Sequence, residues 1–570
     1  MGAKTQWVEI DLRSGVLTNA PLSVIGPRLW KATNSVWDYR YPLAGGYATN
    51  RVWTHRQPLT FPVRDAITFT GVKSFRDLGF SFNAAFDAYA AMIGCNESNQ
   101  YAVWPDTGGA EVGFAGGVTR ATVAAESRML GCSANWLTPG TNPNGGAALA
   151  ADEGVLVFSH PLATHVYYLL DSASTIRSLT TDVTNCPAGC GALAVHLDRL
   201  WLLEAKGTIT NKLWYTDPFN LDSIRTTNVL QFPDKGMALF PGQFGTIDTS
   251  GVPHLVIGCA NSVYVLDGDP ILGGGLQADV RVLGVGVGMI SSQAGCVTPY
   301  GVFFLGTDGD LWHIPPGCQS MAPVGGPIRN HLGINNRTGE IDADGTATGT
   351  LAWLDPYLYI FPGGETSWAL LAQPSTQGEP TFWGPITTSS TITPREAIVR
   401  VPTSIFGLHA PSGKHVLSVH SIDTVPSVTD GARYLAFDPY SATTGSYPHG
   451  TSVGRVATVQ TGLLTVPGHY LQARQVMLET LAVPRTSVPT TVAWTVTVVD
   501  EHGNSVTGVR HPESAPAYGT NDISDVQTQH FAIPPLTASR GVSVRIAATT
   551  EANLGLQRAF VKLHQTPAQF

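Results

Sequence analysis

A chain of 570 residues with 61 glycines, 39 prolines and only 13% charged residues has room for several domains, or for one repeat domain with an appendage. It has too little charge for long solvated helices, and its 43% hydrophobic content excludes a wholly disordered chain. The net charge of −9 excludes a general cationic affinity for duplex DNA.

The start, MGAKTQWVEIDLRSG, lacks the apolar stretch of a secretory signal, and Gln6 stands where myristoylation wants Ser or Thr. No run of 18 apolar residues occurs, so no membrane segment is predicted. The seven cysteines (Cys95, Cys132, Cys186, Cys190, Cys259, Cys296 and Cys318) are odd in number and scattered, which predicts mostly reduced, buried thiols.

Taken in chain order, residues 1–60 read as an extended, loop-rich N-terminal arm that finds its partner elsewhere. Short helical patterns follow at Asn83–Ile93 and Thr122–Leu130. From about 150 to 425, apolar strands recur at Gly154, Arg199, His254, Gly301, Thr350 and Ser404, roughly 45 to 55 residues apart, the period of propeller blades. Second strands pair back across short turns: Leu200–Leu203 with Leu213–Tyr215, Leu255–Ile257 with Val263–Val265, and Phe303–Leu305 with Leu311–Ile314. The last turn contains Asp308-Gly309, a pair suited to a hairpin whose two central residues take positive φ.

Hairpins at this period bury their faces only against neighbouring hairpins, and radial stacking leaves short, protected edges. The expected fold is therefore all-β: a β-propeller of five to seven divergent blades, a C-terminal β-sandwich and the N-terminal arm. The expected boundaries are 1–60 for the arm and its assembly contacts, 61–430 for the propeller, 431–453 for a polar linker and 454–570 for the sandwich. The sandwich rests on alternating strands at Val492–Val499, Gly541–Ile546 and Ala559–Leu563, joined by Thr458–Val466 and Gln475–Leu478.

The search for chemistry returns mostly structural readings. Cys186-Pro-Ala-Gly-Cys190 lacks a second Cys or His pair for zinc, so it reads as a turn between blades. Asp342-Ala-Asp344-Gly345 lacks a third oxygen ligand and has Trp353 where a calcium loop needs Glu; Asp267-Gly268-Asp269 reads as a hairpin end. Thr307–Trp312 superficially resembles an aspartate box but with the wrong Asp-to-Gly spacing. His409, His415 and His420 flank a turn and read as strand-end imidazoles. Asn96 and Asn336 head glycosylation sequons that matter only on secretion. The 13 tryptophans and 17 tyrosines read as blade core before sugar platforms. No Gly-x-Ser-x-Gly, phosphate-loop or dinucleotide pattern occurs. No catalytic, cofactor-binding or metal residue is assigned, no cofactor is implied, and the chain reads as non-enzymatic.

His196–Ile224 (HLDRLWLLEAKGTITNKLWYTDPFNLDSI) resembles a blade hairpin of β-propeller tail proteins of tailed bacteriophages. His254–Asp269 and Cys296–Ile314 are similar to the next two blades of those proteins, and Ala457–Thr480 to their last segment before a sandwich. The likeness covers about 300 residues and excludes the first 130. It rests on the order of strand–turn–strand units. The family includes nozzle (tail-tube terminal) proteins of short-tailed phages and minor tail proteins of longer-tailed ones. The resemblance implies a structural virion protein, assembled in the host bacterial cytoplasm and located in the virion tail. Its partners would be other copies of itself, a hexamer being favoured, the adaptor or portal-proximal ring, tail fibres, and double-stranded DNA in transit. Two alternatives are a carbohydrate-binding or glycan-cleaving propeller and a minor tail or head-surface protein that does not contact DNA.

Overall fold

The structure is a computed structural model. It describes residues 4–33, 36–37, 59–61, 64–69, 74–77, 81–82, 88–89, 92–95, 100–104, 118–122, 132–136, 155–159, 165–170, 176–204, 211–221, 224–242, 253–268, 279–290, 292, 294–332, 350–354, 357–362, 366–371, 380–387, 396–401, 415–421, 432–437, 451–452, 455–483, 493–511, 527–550 and 553–568.

The recurrent hairpins grow into antiparallel meanders, and the fold they build is an all-β propeller. In chain order the first six innermost strands are Ser74–Asp77, Cys132–Trp136, Cys190–His196, Gly236–Gly242, Gly295–Thr298 and Thr350–Leu354, each opening a four-stranded sheet. A seventh, five-stranded meander opens with Glu396–Val401. The three predicted hairpins are present in register: Leu202 opposite Trp214, Ile257 opposite Tyr264, and Phe304 opposite Trp312.

Alternation along the middle strands explains why they are apolar throughout. Leu200 and Leu202 enter one core with Val157 and Tyr168 of the second meander. Their neighbours Trp201 and Leu203 point the other way, into a core with Leu255 and Ile257 of the fourth. Val256 and Val265 of the fourth then meet Val302 and Phe304 of the fifth. A strand buried on both faces needs no polar side, which removes the usual alternating pattern. Around the axis the innermost strand of the seventh meander packs on that of the first. The seventh is completed by Arg64–Phe69, which pairs with Ala432–Phe437 and with Thr451–Ser452.

The chain reaches that closing strand from a second unit made of both termini. One of its sheets runs Val36–Trp37, Leu59–Phe61, Asn553–Pro567, His469–Val483, Gln527–Ala532, Val509–Arg510, with Lys4–Glu9 also on Asn553–Pro567. The other runs Asp11–Val16, Arg28–Thr33, Arg455–Thr461, Gly541–Thr550, Ala493–Asp500, Ser505–Thr507, with Leu464–Thr465 on Gly541–Thr550. Trp494, Val496 and Val498 turn inward while Thr495 lies exposed, and they share a core with Val476, Leu478, Val561 and Leu563 of the first sheet. The propeller is thus inserted between the two halves of this unit. Its first and last strands along the chain, Arg64–Phe69 and Thr451–Ser452, pair with each other.

Several expectations are corrected here. The arm expected over 1–60 is, over 4–33, three strands and one helical turn, followed among the described residues by Val36–Trp37 and the start of Leu59–Phe61; they are held because the long terminal strands offer edges that a pairing partner must cover. The linker expected at 431–453 contains the blade strand Ala432–Phe437. The helix expected at Asn83–Ile93 gives way to Ala88–Tyr89 and the start of Met92–Cys95, since sheet pairing overrides a weak helical period. Of the second expected helix, Thr122–Leu130, only Thr122 is described, at the end of Val118–Thr122; the rest lies outside the described residues. The run from Thr350 is two paired strands, Thr350–Leu354 and Tyr357–Phe361. The turn after Leu305 is wider than two residues: Gly306 N–H donates to Asp310 O, and of Asp308 and Gly309 only Gly309 takes positive φ (79°).

Candidate functional site

The polar groups that converge are those at the ends of the propeller hairpins. Pairing of His254–Cys259 with Ser262–Asp267 places His254 opposite Asp267, and the next strand brings Arg281 alongside. His254 Nδ1 lies 2.6 Å from Asp267 Oδ1, and Arg281 Nε donates to Asp267 Oδ2 at 2.6 Å. Arg281 Nη2 also donates to the Gly317 carbonyl, 3.4 Å away in the fifth meander. His254 is buried and Asp267 about a quarter exposed, so the carboxylate neutralises the guanidinium at a partly dry seam. The cluster ties strands of one blade together and reaches the next.

Similar clamps recur. Asp217 accepts from Arg225 Nε at 2.8 Å and Asn228 Nδ2 at 3.0 Å. Asp182 accepts from the buried Tyr168 hydroxyl at 2.8 Å, and burial with this neighbouring carboxylate pushes the phenol well above its ordinary range. Asp234 accepts from Asn261 N–H and Ser262 Oγ, and burial raises the nearby Cys259 thiol. Burial also raises Asp310, against the Leu311 N–H and the Arg329 charge. Ser292 Oγ, in the segment before the fifth meander, donates to the Gly191 carbonyl of the third at 3.4 Å.

Among the sequence candidates, Cys186 and Cys190 form no disulfide; burial pushes Cys186 up to about 12, only partly offset by Thr180 Oγ1 at 3.9 Å. A thiol held protonated is a poor metal ligand. Cys259, Cys296 and Cys318 form no disulfide either. Asp267, read as a hairpin end, is that and the centre of the histidine–arginine cluster. Sequence reading missed this cluster because its members are 13 and 14 residues apart; aligning the two hairpins by their apolar runs would have revealed it. The Thr307–Trp312 segment is a hairpin whose Trp312 Nε1 donates to the Asp308 carboxylate at 3.1 and 3.2 Å, with Thr307 Oγ1 accepting from Gly288 N–H. His415 and His420 lie five positions apart on one strand, about 17 Å at strand rise. Asp342, Asp344, Gly345, His409, Asn96 and Asn336 lie outside the described residues. Trp201, Trp368 and Trp383 are core, whereas Trp7 is 42% exposed with Lys562 Nζ over its ring.

Among the described residues no group of three His, Cys, Asp or Glu is placed to hold a metal, and no helix is long and apolar enough to cross a membrane.

The second surface of interest joins the propeller to the terminal unit. Thr18 N–H and Oγ1 donate to the Pro327 carbonyl, and Asn19 Nδ2 donates to Gly326 O. Gly15, at φ 69°, lies so close to the sixth meander that a Cβ there would strike the Phe382 carbonyl oxygen. Ile10, Leu12 and Leu29 consequently share one core with Phe303, Trp368 and Trp383.

No family model matches the sequence, and no curated protein matches it. Solved structures similar to it include YCF48 bound to D1 peptide, 9% identical with TM-score 0.34, covering 66% of this chain and 96% of that one. The Dos1 propeller is 10% identical with TM-score 0.33, covering 66% of this chain and 94% of that one. What those proteins bind is a property of theirs.

Proposed function

We propose that this chain is a non-enzymatic structural protein of the tail of a tailed bacteriophage, most nearly a tail nozzle or distal tail tube. In this reading the seven meanders are seven blades, and the two-sheet terminal unit is a β-sandwich carrying the propeller as an insertion. The single observation that carries it is the order of three segments resembling phage tail propellers, His196–Ile224, His254–Asp269 and Cys296–Ile314. They supply strand pairs of three successive meanders. Support comes also from the use to which the carboxylates of the propeller are put: Asp182, Asp217, Asp234 and Asp267 hold hairpins together. A tail component is loaded mechanically, and a body whose propeller and terminal unit share a core suits that load.

The assembly is a ring of copies, six being favoured, in contact with adaptor, portal-proximal or fibre proteins, built in the host cytoplasm and residing in the virion tail. Genomic DNA leaves along the axis of the ring and not along the axis of each propeller. A ring of six carries six times the formal charge of −9, which favours a slippery, repulsive lumen if the carboxylates face it.

The test is native mass spectrometry of the purified protein followed by cryo-electron microscopy of the particle. The expected result is a cyclic oligomer at the distal tail with a bore wide enough for duplex DNA. A protein that stays monomeric and is missing from the tail, or a bore lined with lysine and arginine, overturns the proposal.

A further inference from the structure

We draw no further inference here: the strongest candidate, the outer edge strand Asp279–Val285 of the fourth meander with Val280, Val282 and Val285 exposed, has no feature beside it among the described residues that shows what covers it.

Discussion

At the scale of single residues, stability is concentrated where one side chain serves two neighbouring sheets. Leu202 is fully buried between the second and third meanders. Leu202→Ala removes buried methyl groups and leaves a cavity, so it is expected to cost about 2–5 kcal/mol, read as a lower urea midpoint at unchanged slope. Acid sensitivity also has residue-level origins. Burial lowers the pKa of His313, stacked on Phe303 with its Nε2 2.8 Å from the Tyr300 carbonyl, and of His331, packed on Trp368. The unfolded chain therefore binds protons first, and stability falls as pH drops from the ordinary histidine value of about 6.5. Asp310 works in the opposite sense, because its raised pKa makes the folded state the better proton binder above the ordinary value of 3.8. Asp500 is different again: burial opposes its charge, but N–H groups of Asn504 and His502 hold it ionised, so its contribution is lost only in stronger acid. Urea midpoints at pH 7 and pH 5.5 are expected to differ. The His313→Gln, His331→Gln double variant should shrink that difference, and an undiminished difference would remove these two imidazoles from the account.

At the scale of elements, the turn joining Cys190–His196 to Arg199–Glu204 is a two-residue connection with Leu197 at φ 49° and Asp198 at φ 56°. Two successive left-handed residues match the twist of the flanking strands, but leucine accepts that conformation at a cost of about 1–2 kcal/mol. Leu197→Asn with Asp198→Gly is expected to raise the melting temperature by several degrees, through relief of strain in the fold. A fall would mean that the partly buried Leu197 side chain contributes more than its backbone costs. The adjoining hairpin, Arg199–Glu204 with Lys212–Tyr215, shows what was readable in sequence. Its strands were legible as RLWLLEA and KLWY because a hairpin is a local event, with hydrophobic runs on both sides of a polar gap. The wider turn at Gly306–Asp310 was misread, because the Asp-Gly pair is shared by two-residue turns and by longer loops with one left-handed glycine. The histidine–aspartate–arginine cluster was not legible as a unit, since register and not sequence spacing brings His254, Asp267 and Arg281 together.

At the scale of the whole molecule, the propeller is an insertion whose first and last strands along the chain pair with each other and whose fifth and sixth meanders share a core with the terminal unit. The contact at Gly15 tests that coupling. Gly15→Val combines a strained left-handed φ with a clash against backbone, and overpacking of this kind costs about 1–3 kcal/mol. Calorimetry of the full chain is expected to show the terminal unit melting earlier in the variant. Coincident, unshifted transitions would mean that the two units are not held together there.

What the amino-acid sequence determined by itself was the local grammar: short strands, turns between them, a blade-like period, and alternation in Ala493–Asp500 that separates a dry face from a wet one. Which strands meet across the chain was decided only in three dimensions. Lys4–Glu9 lies on Asn553–Pro567, and Arg64–Phe69 closes the meander that contains Ala432–Phe437. Side-chain pattern encodes which face of a strand is buried, whereas the backbone groups along its edge are the same in every strand. A free edge therefore takes the partner that the rest of the fold brings within reach, and no local run of residues specifies that partner.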